Sequence, residues 1–140
     1  MQLKQIVERL NSMNDNFLLD TNIIIALFAQ DVLIQEHLFK AQATFVSIIT
    51  VGELYYGAEK SKHINANTQR IEEFVTLHTV LPNNVTTAKH YGQIKHVLRK
   101  KGHPIPDNDI WIAAIAQYQL TLVSRDKHFN AIEDLSLVRW

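Results

Sequence analysis

The chain has 140 residues, no cysteine, and basic and acidic side chains in balance at 14 each. That length suits one domain with a substantial core, and the lack of cysteine excludes disulfides, thiolate zinc sites and thiol nucleophiles. A formal net charge of zero argues against binding nucleic acid through bulk charge and leaves any such contact to a local patch.

No run approaches the roughly 18 apolar residues that a membrane helix needs. Residues 1–15 carry Lys4, Glu8 and Arg9 without a continuous apolar centre, which is not the pattern of a secretory signal. A cytoplasmic protein without membrane attachment is therefore expected.

Leu3, Ile6, Val7, Leu10 and Met13 repeat at helical spacing, and Asn14-Asp15-Asn16 reads as a turn. The apolar run Phe17-Leu18-Leu19 ends at Asp20, and a second apolar run follows from about Asn22. A short buried strand, a polar turn and a helix account for this best. Val32 to Phe39 reads as a further helix and Thr44 to Ser47 as a strand. Thr50-Val51-Gly52-Glu53 matches a capping box opening the next helix. Ile64 to Thr76 is helical in pattern, Thr79-Val80-Leu81 extended, and Val85 to Lys101 helical again, with Gly102 supplying a left-handed end. Pro104 to Asp109 reads as a polar connector before an alanine-rich helix. Leu120 to Ser124 is a strand ending at Arg125-Asp126, followed by a turn at Phe129 and a last strand from Leu135 to Val138. Short β-runs alternating with helices predict a single α/β domain, a three-layer α/β/α sandwich around a mainly parallel sheet.

Asp20, Glu53, Asp109 and Asp126 each fall where a strand ends or a helix begins. In a parallel sheet such positions share one edge, where open α/β folds bind ligands. Converged carboxylates repel one another, and a hard divalent cation relieves the repulsion. Each acid also has a purely local explanation. Asp20, Asp109 and Asp126 are apt helix caps, and Glu53 is the reciprocal partner of Thr50 in the capping box. Spacing alone leaves both readings open.

Four segments carry a resemblance that spacing does not. They are Leu18-Leu19-Asp20-Thr21-Asn22, then Val51-Gly52-Glu53-Leu54-Tyr55-Tyr56-Gly57, then Asp109-Ile110-Trp111-Ile112-Ala113-Ala114, and last Leu122-Val123-Ser124-Arg125-Asp126. In this order the chain resembles the PIN-domain family and, within it, the VapC-type ribonuclease toxins. The resemblance implies a PIN-like fold over residues 17–140, an acidic pocket holding Mg2+ or Mn2+, and endonucleolytic cleavage of RNA. It implies Asp20 and Asp109 as direct metal ligands, Glu53 positioning water or a second ion, and Asp126 completing the pocket. Asn22 and Ser124 match supporting polar positions. It further implies a homodimer and a cognate antitoxin that covers the active-site groove. Residues 1–16 form an N-terminal helical extension that departs from the usual pattern. Asp107, close to Asp109, raises a question of register at the third acid.

From Asn83 to Pro106 there is no acidic residue, while Lys89, Lys95, Arg99, Lys100 and Lys101 are basic. Lys95, Arg99, Lys100 and Lys101 are the candidate RNA phosphate contacts, against a solvated helix end favoured by the dipole. Tyr55 and Tyr56 are suited either to stacking on a base or to packing. The seven histidines show no zinc-site spacing. Two other functions fit the same build: a metal-dependent phosphate-ester hydrolase, and a PIN-like RNA-binding module without catalysis. Asn22 stands where one such phosphatase class needs a second aspartate.

Overall fold

The computed structural model describes residues 2–5 and 16–140. Most of the amphipathic stripe expected in the N-terminal extension (positions 6, 7, 10 and 13) lies outside the described residues. The described elements are β1 (Asn16–Leu19), α1 (Thr21–Phe28), α2 (Val32–Lys40), β2 (Ala43–Ser47), α3 (Ile48–Glu59) and α4 (Ile64–Leu77). They continue with β3 (Thr79–Leu81), α5 (Val85–Lys100), α6 (Asp107–Ala116), β4 (Thr121–Val123), a 3-10 helix (Lys127–Ala131) and β5 (Leu137–Val138). The five strands form one sheet in the order β3-β2-β1-β4-β5, and every pairing is parallel.

β1 is the centre of this sheet, and its sequence explains why. Successive strand side chains point to opposite faces, and both Leu18 and Leu19 are fully buried. Each face therefore needs its own cover. Leu18 and Leu122 pack with Ile94 and Leu98 of α5 and with Ile112 and Ala113 of α6. Leu19 and Val123 pack with Ile23 and Ile24 of α1, Leu54 of α3, and Ile71 and Phe74 of α4. The result is the expected sandwich, with an all-parallel sheet buried on both faces. Among the described residues no single helix is long and apolar enough to cross a membrane.

Two local expectations are corrected. The helix α3 begins at Ile48, with Ser47 as its cap: the Ser47 hydroxyl accepts from the Thr50 backbone N–H at 3.0 Å. Thr50 is thus buried inside the first turn, and Glu53 lies in the second turn, out of reach of a capping-box role. The helix α6 begins at Asp107, so the connector ends at Pro106. Proline at that boundary has the fixed φ that leads into a helix, and two aspartates in the first turn suit the positive end of its dipole. Gly102 takes the expected left-handed conformation, with φ 73°.

Candidate active site

The chain leaves β1 for β2 on one side and reaches β4 on the other. The carboxyl ends of β1 and β4 therefore border the switch point at which such sheets open a crevice. Asp20 is the first residue beyond β1, and its backbone N–H donates to the Val123 carbonyl at 3.0 Å. Ser124, the first residue beyond β4, ties the two ends together. Its hydroxyl donates to Asp20 Oδ2 at 2.7 Å and accepts from Asp126 N–H at 3.0 Å and from Asn22 Nδ2 at 3.3 Å. A hydroxyl has one hydrogen and two lone pairs, so Ser124 is fully used. Asn22 Oδ1 in turn accepts from the Arg125 backbone N–H at 3.3 Å. Ser124 thus contacts Asp20 directly, whereas Asn22 reaches the acids only through Ser124 and the Arg125 backbone.

The other acids arrive from three elements. Thr21, at the start of α1, donates its hydroxyl to Glu53 Oε1 at 2.9 Å. Asp109, in the first turn of α6, accepts from His128 Nδ1 at 3.1 Å. Asp126 caps the 3-10 helix, its Oδ1 accepting from the His128 backbone N–H at 2.9 Å while lying 3.1 Å from His128 Nδ1. Capping and a place beside Asp109 and His128 thus coincide at Asp126. At Asp20 the carbonyl serves α1, accepting from Ile23 and Ile24 N–H, and the carboxylate faces Ser124.

Burial pushes the Asp20 carboxyl from its ordinary 3.8 up to about 6, with the charges of Asp109 and Glu53 adding to the rise and the Ser124 hydroxyl opposing it. Burial also raises Glu53, helped by Asp109 and opposed by the Thr21 hydroxyl. Asp109 is raised by burial and by Asp126, with His128 opposing. Among the described residues no lysine or arginine pairs with any of the four acids. Several carboxylates held together without a cationic side chain are costly when ionised. A donor set of hard oxygens in that state fits a divalent ion such as Mg2+ or Mn2+.

Asp107 points elsewhere. It accepts from Lys95 Nζ at 3.0 Å and from the Tyr91 hydroxyl at 3.1 Å, which hold its carboxyl below the usual range. Asp109, by contrast, shares His128 with Asp126 and feels its charge. Of the basic candidates, Lys95 and Arg99 both act on Asp107 and so stand beside the start of α6. Lys101 pairs with Glu133 instead, and Lys100 is exposed. Tyr55 is partly buried against the core, and Tyr56 is exposed with Lys60 over its ring. A cavity of about 280 Å3 adjoins Glu53, lined by Ile25, Phe28, Leu54 and Arg70 among others. A larger one, about 360 Å3, lies between Leu81, Asn84, His90 and Tyr118 and includes none of the four acids.

His128 is the site residue that sequence reasoning missed. Its Nδ1 and oxygens of Asp109 and Asp126 all lie within 4.8 Å of one another. The only local clue was its offset of two residues from Asp126, which a turn brings to the same side.

The chain matches known proteins along most of its length. The PIN domain family model matches residues 17–135. The chain is 41% identical over 128 residues to ribonuclease VapC2 of Haemophilus influenzae, covering 89% of this chain and 97% of that protein. It is 32% identical over 128 residues to the tRNA(fMet)-specific endonuclease VapC of Shigella flexneri, with the same coverage. Among solved structures, VapBC2 from Rickettsia felis bound to a promoter DNA fragment superposes with a TM-score of 0.84 at 29% identity, covering 89% of this chain and 98% of that one.

Proposed function

The chain belongs to the PIN-domain family, and from that premise we propose that it is a divalent-metal-dependent endoribonuclease acting as the toxin of a toxin–antitoxin pair. The observation that carries this reading is the charge interaction that links Asp20, Glu53, Asp109 and Asp126, with no lysine or arginine paired to any of them among the described residues. Relatives named as ribonucleases and as a tRNA-specific endonuclease support RNA as the substrate. A solved structure of a VapBC pair supports an antitoxin partner.

In this reading Asp20 and Asp109 are the direct ligands of Mg2+ or Mn2+, Glu53 orients a water or a second ion, and Asp126 closes the pocket. When bound, the ion supplies a water of lowered pKa and positive charge opposite the phosphodiester. Ser124 holds Asp20 at one oxygen and thereby aims the other. Thr21 does the same for Glu53, and Asn22 steadies the turn that carries Arg125 and Asp126. Lys95 and Arg99, beside the start of α6, meet the phosphates of the RNA, with Lys100 at the end of α5 adding to the field. Lys95 and Lys101 would each exchange an acidic partner, Asp107 and Glu133, for a phosphate.

The apolar cavity beside Glu53 receives an antitoxin segment, because Ile25 and Phe28 offer apolar contact and Arg70 a cation next to the acidic cleft. Exposed Val32, Leu33 and Phe39 on α2 supply apolar surface for a second copy of the chain. The domain proper is residues 17–140, acting on RNA in the cytoplasm.

Purified protein incubated with RNA is expected to cut internally with Mg2+ or Mn2+, to stop in EDTA, and to resume when the ion is restored. Asp109→Asn is expected to stay folded and inactive. Cleavage that persists in EDTA, or an Asp109→Asn protein as active as its parent, would rule the reading out. Hydrolysis of phosphomonoesters without RNA cleavage would favour the phosphatase alternative.

A further inference from the structure

We propose that His128 is a nitrogen ligand of the divalent-ion site and makes that site select Mn2+ over Mg2+. The inference rests on the metal-dependent reading above. Its starting point is the direction of the His128 side chain. The residue sits in the 3-10 helix Lys127–Ala131, with half of its side chain exposed, and it is not one of the residues that build either core cluster. Even so the ring turns toward the cleft, where Nδ1 stands 3.1 Å from Asp109 Oδ2 and 3.1 Å from Asp126 Oδ1. Among the described residues these two carboxylates are the polar partners of the ring.

The spacing is that of a coordination sphere. Ligands at about 2.1 Å from an octahedral ion stand about 3.0 Å from their nearest neighbours. The two N···O separations match the spacing of adjacent corners of such an octahedron, so the ring nitrogen stands where it would join an ion held by Asp109. Asp109 and Asp126 hold the ring from different elements, α6 and the segment after β4. Ligation would use the Nδ1 lone pair, so the ring would carry its hydrogen on Nε2, the proton at Nδ1 passing to solvent and Nε2 taking one up if it is bare.

The consequence is selectivity. Mg2+ prefers oxygen donors and dehydrates reluctantly, and imidazole adds little to its binding. First-row transition ions gain from an imidazole nitrogen, increasingly so along the series from Mn2+. A pocket of carboxylates alone lacks that means of discrimination.

The test uses the full chain without a histidine tag, loaded with Mn2+ and examined by pulsed electron paramagnetic resonance, alongside calorimetric titrations with Mn2+ and with Mg2+. Directly bound nitrogen-14 is expected in the parent spectrum and absent in His128→Ala and His128→Gln. Both variants are expected to bind Mn2+ about tenfold or more weakly, with Mg2+ affinity changed by less than about threefold. Mn2+ that binds without nitrogen coupling, coupling that survives in both variants, or equal losses for the two ions would overturn the role of His128. Asp109→Asn separates the two levels. If it leaves Mn2+ binding intact, the acidic site itself is wrong; if it abolishes binding while nitrogen coupling is missing in the parent, only the histidine assignment fails.

Discussion

Replacing Asp20 by asparagine is expected to stabilise the fold at neutral pH while abolishing RNA cleavage. Asp20 is 5% exposed, and burial first, then the charges of Asp109 and Glu53, lift its carboxyl from 3.8 to about 6. Between those two values the folded chain holds a proton that the unfolded chain has released. Stability contributed by this group therefore falls as pH rises through the window, and above it the ionised carboxylate costs about 3 kcal/mol. Asparagine carries no such cost, although its amide changes the local hydrogen bonds by an amount that does not vary with pH. The quantity to measure is the stability gap between the two proteins, from urea unfolding in EDTA. From pH 4 to pH 8 the gap is expected to widen in favour of Asp20→Asn by about 2 kcal/mol. Adding a divalent ion at a hundred times its Kd then restores about 2.7 kcal/mol to the parent and little to the variant. A gap that stays constant with pH, or that widens in favour of the parent, would refute the claim that this carboxylate is held against its own solvation.

Ser124→Ala removes a hydrogen bond that lowers the Asp20 carboxyl, so the acidic limb of the pH profile for cleavage is expected to move up. Activity should fall more at pH 6 than at pH 8, read from kcat/KM across that range. Thr21→Val frees Glu53 from its 2.9 Å bond, and cleavage is expected to drop roughly ten- to hundredfold with an unchanged circular dichroism spectrum. Lys95→Gln with Arg99→Gln is expected to weaken RNA binding and to reduce the slope of log affinity against log salt by about 1.4, if both meet phosphates of a single strand. An unchanged slope from fluorescence anisotropy would place the RNA elsewhere.

Much of the fold could be read from local pattern. The double leucine at positions 18 and 19 already required cover on both faces of a strand, and the two helical layers supply it. The helical pattern from Val85 to Lys101, and the left-handed stop at Gly102, describe α5 to within a residue. Errors arose where two local rules competed. Thr50 and Glu53 satisfy a capping-box pattern, yet Ser47 lies one turn earlier and takes the cap. Asp107 to Asp109 followed a proline-rich stretch and read as connector, whereas the proline ends that connector and the aspartates open the helix. Cap signals that stand three or four residues apart are chosen by which helix start buries the apolar face, and that depends on the sheet.

The four acids were visible along the chain, and family resemblance gave them a common purpose. The resemblance also named Asn22 and Ser124 as supports, but what each one touches was not visible. Glu53 finds Thr21 across 32 positions, and Asp20 finds Ser124 across 104; neither partner has a periodicity or spacing that announces it. The raised carboxyl of Asp20 and the place of His128 between Asp109 and Asp126 arise only once the ends of β1 and β4 stand side by side. Local sequence determined the elements and the carboxylates, because backbone propensity and side-chain period act over a few residues. Only the tertiary structure decided which oxygens are desolvated, which are held, and where a nitrogen joins them, because those depend on strand order and on what the helices exclude from water.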